Sequence, residues 1–337
     1  MLLIAVEETR AKRRAQELVE RSVRQVLPSR GKRNIGFPSG NRDEIIYSRG
    51  TGKLWCAFGS AEDAAIPRSW NAFGVFDESR RTQMITVEVN VPTASNSASV
   101  AGFFADDPVS GATYLMHDGG VGGGKPGVGQ AAFLAWSGTP LVDVEREGRA
   151  PRQGIVIGRA DSRDLAARLW RYVQTVRAFK DAVAAGELDS GAMRRKVAEW
   201  EQYRRENSGR RTGRRRSGID YISYHGDVVD LLKHEREQCL GGREKILNSP
   251  LIDLYVRSGR RMTELYEVKT SLTRQAIYTG IGQLLAHAGQ DCAGVRKVLV
   301  VPEGDLPQGL ADCIGMLGIA IRRFRLRSGT RPSLELL

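Results

Sequence analysis

At 337 residues with 41% hydrophobic side chains, the chain is long enough for two separately cored domains. Its 51 Lys and Arg against 39 Asp and Glu leave a formal charge of +12, an excess that small-molecule enzymes rarely carry. Nucleic acid, an anionic membrane or an acidic protein would suit that charge.

In chain order, the opening apolar run stops at Glu7 and Glu8 after six residues, too short for a signal sequence core. No later stretch approaches the roughly 20 apolar residues of a membrane span. The expected location is therefore the cytoplasm, with no membrane partner. Residues 7–26 predict an amphipathic helix, because Ala15, Leu18, Val19, Val23 and Val26 fall on one stripe and Pro28 closes it. From about 33 to 150, short apolar runs (44–47, 54–58, 84–91, 100–104 and 133–136) alternate with Gly, Asn, Pro and Ser. That texture predicts a β-rich α+β domain, a sandwich or a barrel. Helices are expected over 160–186, with Leu165, Leu169, Tyr172, Val173 and Val176 on one face, and over 190–205. Trp55, Trp70, Trp136, Phe58, Phe73 and Phe76 are read as core, with a cage for a flipped base as the alternative.

Within this stretch Gly119–Pro126 fits GxxxxGK and then fails, since Pro126 stands where a P-loop needs a hydroxyl for Mg²⁺. A flexible loop contacting DNA backbone or covering a ligand is expected there, rather than a nucleotide site. Four cysteines (Cys56, Cys239, Cys292, Cys313) show no CxxC or CxH spacing, which predicts free thiols rather than structural zinc or disulfides. Residues 1–203 are thus read as an N-terminal α+β domain for recognising a DNA target or ligand.

Residues 204–218 hold seven arginines among Ser, Gly, Thr and Asn, with no apolar residue between Tyr203 and Ile219. Such a segment cannot build a core and predicts an exposed linker. Arg210, Arg211, Arg214, Arg215 and Arg216 are either a solvated tether or a nucleic-acid-binding arm that tracks phosphates.

Residues 219–337 predict an α/β domain: helix 226–239, strand 251–256, strand 264–269, helix 274–288, strand 297–301, helix 306–317, strand 319–326. Asp253 is the one carboxylate in the apolar run 251–256, and Glu267 and Lys269 share a face of the next strand. Burying carboxylates in a sheet costs several kcal/mol unless something compensates them. Mg²⁺ compensates two at once and keeps room for phosphate oxygens, while a nearby lysine can orient or deprotonate the attacking water. An isolated ExK is otherwise an ordinary ion pair on a solvated sheet face.

The succession helix, Asp strand, turn, ExK strand, helix resembles the PD-(D/E)XK nuclease superfamily, which includes many restriction enzymes and Holliday junction resolvases. The resemblance covers about residues 220–326. It implies a restriction-endonuclease-like mixed sheet flanked by helices. It also implies Asp253 and Glu267 as metal-binding acids, Lys269 as the catalytic lysine and Gln283 as a catalytic neighbour on the following helix. Pro250 stands three residues before Asp253 rather than directly before it. Many members carry a further acid on the first helix. Here Asp227, Asp230, Glu235 and Glu237 are available, and Asp230 is the residue chosen as third metal ligand. His225 is read as either a neighbour of the site or a helix cap.

The resulting expectation is an Mg²⁺-dependent DNA endonuclease, with Mn²⁺ able to substitute, of restriction or phage-defence type. The N-terminal domain would select the target, and a homodimer would serve double-strand cutting. The alternatives are a non-catalytic DNA-binding protein on a nuclease fold, a branched-DNA resolvase-like nuclease, and an enzyme for NTP or a small ligand centred on the glycine loop.

Overall fold

A computed structural model describes residues 3–37, 40–94, 97, 99–122, 128–206, 224–249, 252–289, 294–306, 309–327 and 329–337. It divides into two compact units, Met1–Arg214 and Arg215–Leu337. Arg210, Arg211, Arg214, Arg215 and Arg216 lie outside the described residues, as do Gly123, Gly124, Lys125, Pro126, Pro250 and Cys292. Cys56, Cys239 and Cys313 are free thiols.

In the first unit, β1 (Leu3–Ala5) leads into α1 (Thr9–Arg24), followed by β2 (Ser29–Phe37), β3 (Gly40–Ser48), β4 (Leu54–Ala61) and β5 (Arg68–Val75). Next come the short strands β6 (Thr82–Met84), β7 (Val87–Glu88) and β8 (Val91–Pro92), then β9 (Gly102–Asp106) and β10 (Thr113–His117). The unit ends with α2 (Gln130–Ser137), β11 (Val142–Arg146), β12 (Arg149–Arg159), α3 (Leu165–Ala184) and α4 (Gly191–Glu206). Strands β1-β11-β12-β10-β9 close a barrel, while β6-β2-β3-β4-β5-β7 form the path of a seven-stranded sheet with β8 on β5.

Alternation along β4 divides the core. Leu54 and Cys56 join the α1 and α3 residues Val19, Val23, Leu169, Val173 and Val176 together with Phe104 and Leu115 of the barrel. Trp55 and Ala57 point the other way, into a second cluster with Ile35, Ile46, Trp70, Ala72 and Phe76. The period of two sorts the strand between two cores, as it must when both faces are covered. The aromatic residues Trp55, Trp70, Phe73 and Phe76 are buried in these cores.

Three expectations for this unit are corrected. Residues 133–136 are helical, inside α2, because Gly138 in the left-handed conformation caps a run whose length could not separate strand from helix. The run 84–91 is broken into separate short strands rather than one. Arg204 and Arg205 belong to α4, not to a linker.

The second unit is a six-stranded mixed sheet in the order β13-β14-β15-β16-β17-β18. Its strands are β13 (Glu244–Ser249), β14 (Ile252–Ser258), β15 (Arg261–Val268), β16 (Arg296–Pro302), β17 (Ile319–Arg327) and β18 (Ser333–Leu336). The pairs β15–β16 and β16–β17 are parallel and the rest antiparallel. Helix α5 (His225–Glu237) buries Val228, Val229 and Leu232 against Leu254, Val256, Tyr266, Val268 and Phe324 on one face. On the other face, α6 (Arg274–Ala288) and α7 (Leu310–Met316) bury Ile277, Leu284 and Ile314 against Leu265, Leu299 and Ile319. The sheet is thus covered by helices on both sides, as its parallel centre requires. Strands β13 and β18 were not anticipated, and the helix expected over 306–317 starts only at Leu310, after Gly309. Among the described residues no helix is long and apolar enough to cross a membrane.

Gly59 lies opposite Trp70 across β4 and β5, and a Cβ there would come within 2.5 Å of the indole ring. Gly59→Ala is expected to lower the stability of the first unit by about 1–3 kcal/mol through overpacking. All five tryptophans lie in that unit, so the urea midpoint of the tryptophan emission reports it, and an unshifted midpoint would contradict this packing.

Candidate active site

The hairpin β14–β15 aligns Tyr255 with Leu265 and Leu254 with Tyr266, and the next pair in that register is Asp253 with Glu267. Since Leu265 belongs to the α6-side core and Tyr266 to the α5-side core, Glu267 faces α6. The Lys269 amide donates to the Val300 carbonyl at 2.8 Å, which continues the pairing with β16 one residue past the strand and returns the lysine to the Glu267 face.

Helix α6 then closes over this face. The Thr273 hydroxyl accepts from the Ala276 amide and fixes where the helix begins. Ile277, Ile281 and Leu284 turn into the core, and Gln283 stands beside them, half-buried. The Lys269 ammonium donates to Glu267 Oε1 and to Gln283 Oε1, each at 2.6 Å. Gly280 makes this approach possible, because a Cβ there would lie 2.6 Å from Leu299 and 3.2 Å from the Lys269 stem.

Asp253 is held from two sides. Its Oδ2 accepts from the Val268 amide at 2.8 Å and lies 3.3 Å from His225 Nε2 at the start of α5. Asp253, Glu267, Lys269 and Gln283 are therefore brought together. Asp230, the acid expected from the first helix, is exposed on α5, and the residue of that helix that meets Asp253 is His225. Glu235 is ion-paired with Arg322 at 2.9 Å, away from this group. Gly280 was missed by sequence reading. The signal for it was a glycine inside an otherwise helical pattern, where it is disfavoured by about 1 kcal/mol and implies a packing reason.

The electrostatics set the two carboxylates against each other. Burial opposes ionisation of Asp253, but the hydrogen bond and charge of His225, the Val268 amide and Lys269 hold it below the usual aspartate range. Burial and then the negative charge of Asp253 push Glu267 up to about 7, although Lys269 pulls the other way. Burial opposes protonation of His225 too, and the hydrogen bond and charge of Asp253 outweigh it, so the imidazole is raised. A buried carboxylate that resists ionising beside a charged one leaves the site short of positive charge. Among the described residues no three His, Cys, Asp or Glu side chains form a metal-holding group. Asp253 and Glu267 supply two, and Mg²⁺ takes one or two carboxylates from a protein and the rest from water and phosphate. The donor set fits that ion.

Comparison of the chain with protein-family models, with curated proteins and with solved structures finds no match.

Because Glu267 is raised from its ordinary 4.5 to about 7, between these values the folded protein keeps a proton that the unfolded chain has released. Stability without divalent metal must then fall as pH rises through this window and level off above it. In EDTA, the Tm of the wild type is expected to fall relative to that of Glu267→Gln as pH rises from 4.5 to about 7. Parallel Tm–pH curves for the two proteins would contradict the buried, charge-strained state of Glu267.

Proposed function

We propose that the second unit is a divalent-metal-dependent DNA nuclease of the PD-(D/E)XK type. The observation that carries this reading is the Lys269 ammonium clamped at 2.6 Å by both Glu267 and Gln283, on the sheet face that Asp253 shares. Asp253 and Glu267 would hold Mg²⁺ or Mn²⁺. When bound, the ion supplies Lewis-acid stabilisation of the charge that develops on a phosphodiester under attack.

The chain's own residues do the positioning. An ammonium has three donors, and Glu267 and Gln283 take two. Among the described residues the third has no acceptor, so it can meet a phosphate oxygen or orient the attacking water. Because Gln283 accepts through its oxygen, its amide nitrogen keeps its two donors for substrate. His225 and the Val268 amide keep Asp253 ionised and fix its rotamer. Glu267 sits where it can change protonation near neutral pH or remain charged once a cation offsets Asp253.

The charge of +12 supports a polyanionic substrate. We assign target selection to the first unit, and a restriction or phage-defence role to the whole. With one such site per chain, cutting both strands calls for two copies.

Full-length protein is expected to nick or cut DNA with Mg²⁺ or Mn²⁺ and to stop in EDTA, assayed side by side on plasmid, methylated phage and branched DNA. Lys269→Ala should lower the cleavage rate by about 10³-fold or more while DNA affinity changes only a few-fold. Wild-type protein that binds DNA yet cuts none of these substrates in either metal would replace the enzyme by a DNA-binding module on the same fold.

A further inference from the structure

Basic residues on the sheet of the second unit differ in how they are paired. On β17, Arg322 pairs with Glu235 at 2.9 Å, and Arg325 pairs with Glu303 at 2.5 Å and Glu335 at 2.7 Å. Those charges are already neutralised. At the opposite edge of the sheet, Lys245 on β13 and Arg257 on β14 stand directly across from each other. Among the described residues neither makes an ion pair, and there Arg257 donates only to the Arg260 carbonyl, at 2.7 Å. The nearby acids do not serve them: Glu244 and Glu264 are held by Arg236 at 2.9 and 3.0 Å, and Arg296 stands 3.9 Å from Glu264. Like charges directly opposite each other on a sheet are destabilising, so this pair disfavours the folded protein unless an anion lies over it.

The pair also lies on the active-site face. Leu254 and Val256 point into the α5-side core, so Asp253, Tyr255 and Arg257 share the other face. The pairing of Leu247 with Tyr255 and of Lys245 with Arg257 puts the β13 residues on it too. On that face α6 packs on β15 and β16, and α7 on β17, while β13 and β14 carry no comparable helix cover among the described residues. Leu247 is accordingly exposed although it is an apolar strand residue. Four residues of strand separate Asp253 from Arg257, about 13 Å. Measured along the axis of a duplex lying parallel to β14, that is about four base pairs at ~3.4 Å each.

The geometry points to the open β13–β14 face as a docking surface for duplex DNA, in which Lys245 and Arg257 hold backbone phosphates about four base pairs from the bond broken at Asp253 and Glu267. This rests on the nuclease reading of the same site. The contacts are to phosphate and carry no sequence information, so they set where the duplex lies and leave the choice of sequence elsewhere.

The test measures binding of a fluorescent duplex to full-length protein over a salt series. Lys269→Ala serves as the parent, so that no DNA is cut, with steady-state cleavage followed in parallel on the Lys269 background. Adding Lys245→Ala and Arg257→Ala together should reduce the magnitude of the slope of log Kobs against log salt by about 2. The same pair should raise KM about tenfold or more at 0.15 M salt and leave kcat within about threefold. Arg325→Ala, which removes an already paired charge, should leave the slope unchanged. Arg257→Glu, which sets a carboxylate opposite Lys245, should weaken binding while holding or raising Tm, so that loss of binding is not loss of fold. Cleavage by the wild type together with an unchanged slope and KM in the double variant overturns the docking surface and leaves the nuclease reading intact. A lowered slope in a protein whose wild type cuts nothing overturns the nuclease reading and leaves the docking surface intact.

Discussion

Glu267 is 3% exposed in the middle of a mixed sheet, and much of the second unit is arranged around keeping a carboxylate there. A charge in that position is tolerated only with a partner, and Lys269 is the partner two residues on. The lysine has to lie along the sheet rather than extend into water, so the covering helix must come close. Gly280 lets it, Gln283 takes one of the ammonium's donors, and the Thr273 cap sets the helix phase that aligns both. The parallel crossover β15–α6–β16 supplies the scaffold, and the Lys269 amide bonded to Val300 ties the end of β15 to it. Removing Lys269 would leave Glu267 buried without its complement, and removing Gln283 would leave the ammonium one acceptor short.

Much of this was legible in the sequence because the relevant signals are local. Helix α6 was anticipated at Arg274–Ala288, since Thr273 and Gly289 mark its ends and the apolar residues between them keep a helical period. The carboxylate inside an apolar strand and the spacing of Glu267 and Lys269 are likewise local, and the hairpin needs only the turn at Ser258 and Gly259 to bring them together. What was not legible depends on tertiary phase. The stripe Val228, Val229 and Leu232 shows which side of α5 is buried, but not which end of the helix meets β14. His225 rather than Asp230 meets Asp253 for that reason. Strand β13 was hidden because residues 244–249 carry Ile246 and Leu247 side by side with no alternation to mark a strand. Residues 133–136 were too short for periodicity to decide, and the barrel's use of α2 as cover could not be seen locally.

The same period of two that places the acids also ties the proposed chemistry to the proposed docking surface. Leu254 and Val256 are fully buried against α5, and they fix the face on which every second residue of β14 must lie. A slip of one residue would turn Asp253, Tyr255 and Arg257 into that apolar layer and bring the two aliphatic side chains out, so the register is strongly held. The apolar residues of β14 thereby set the positions of its polar ones. Asp253 and Arg257 cannot be re-aimed independently, and the distance between the buried carboxylates and the open basic pair is a property of the strand itself. The cross-strand repulsion between Lys245 and Arg257 follows from that fixed register, since neither side chain can turn to the other face to escape it. A sheet rigid enough to hold a buried carboxylate in place is also rigid enough to hold two like charges opposite each other, which is the arrangement the proposed docking of a polyanion would relieve.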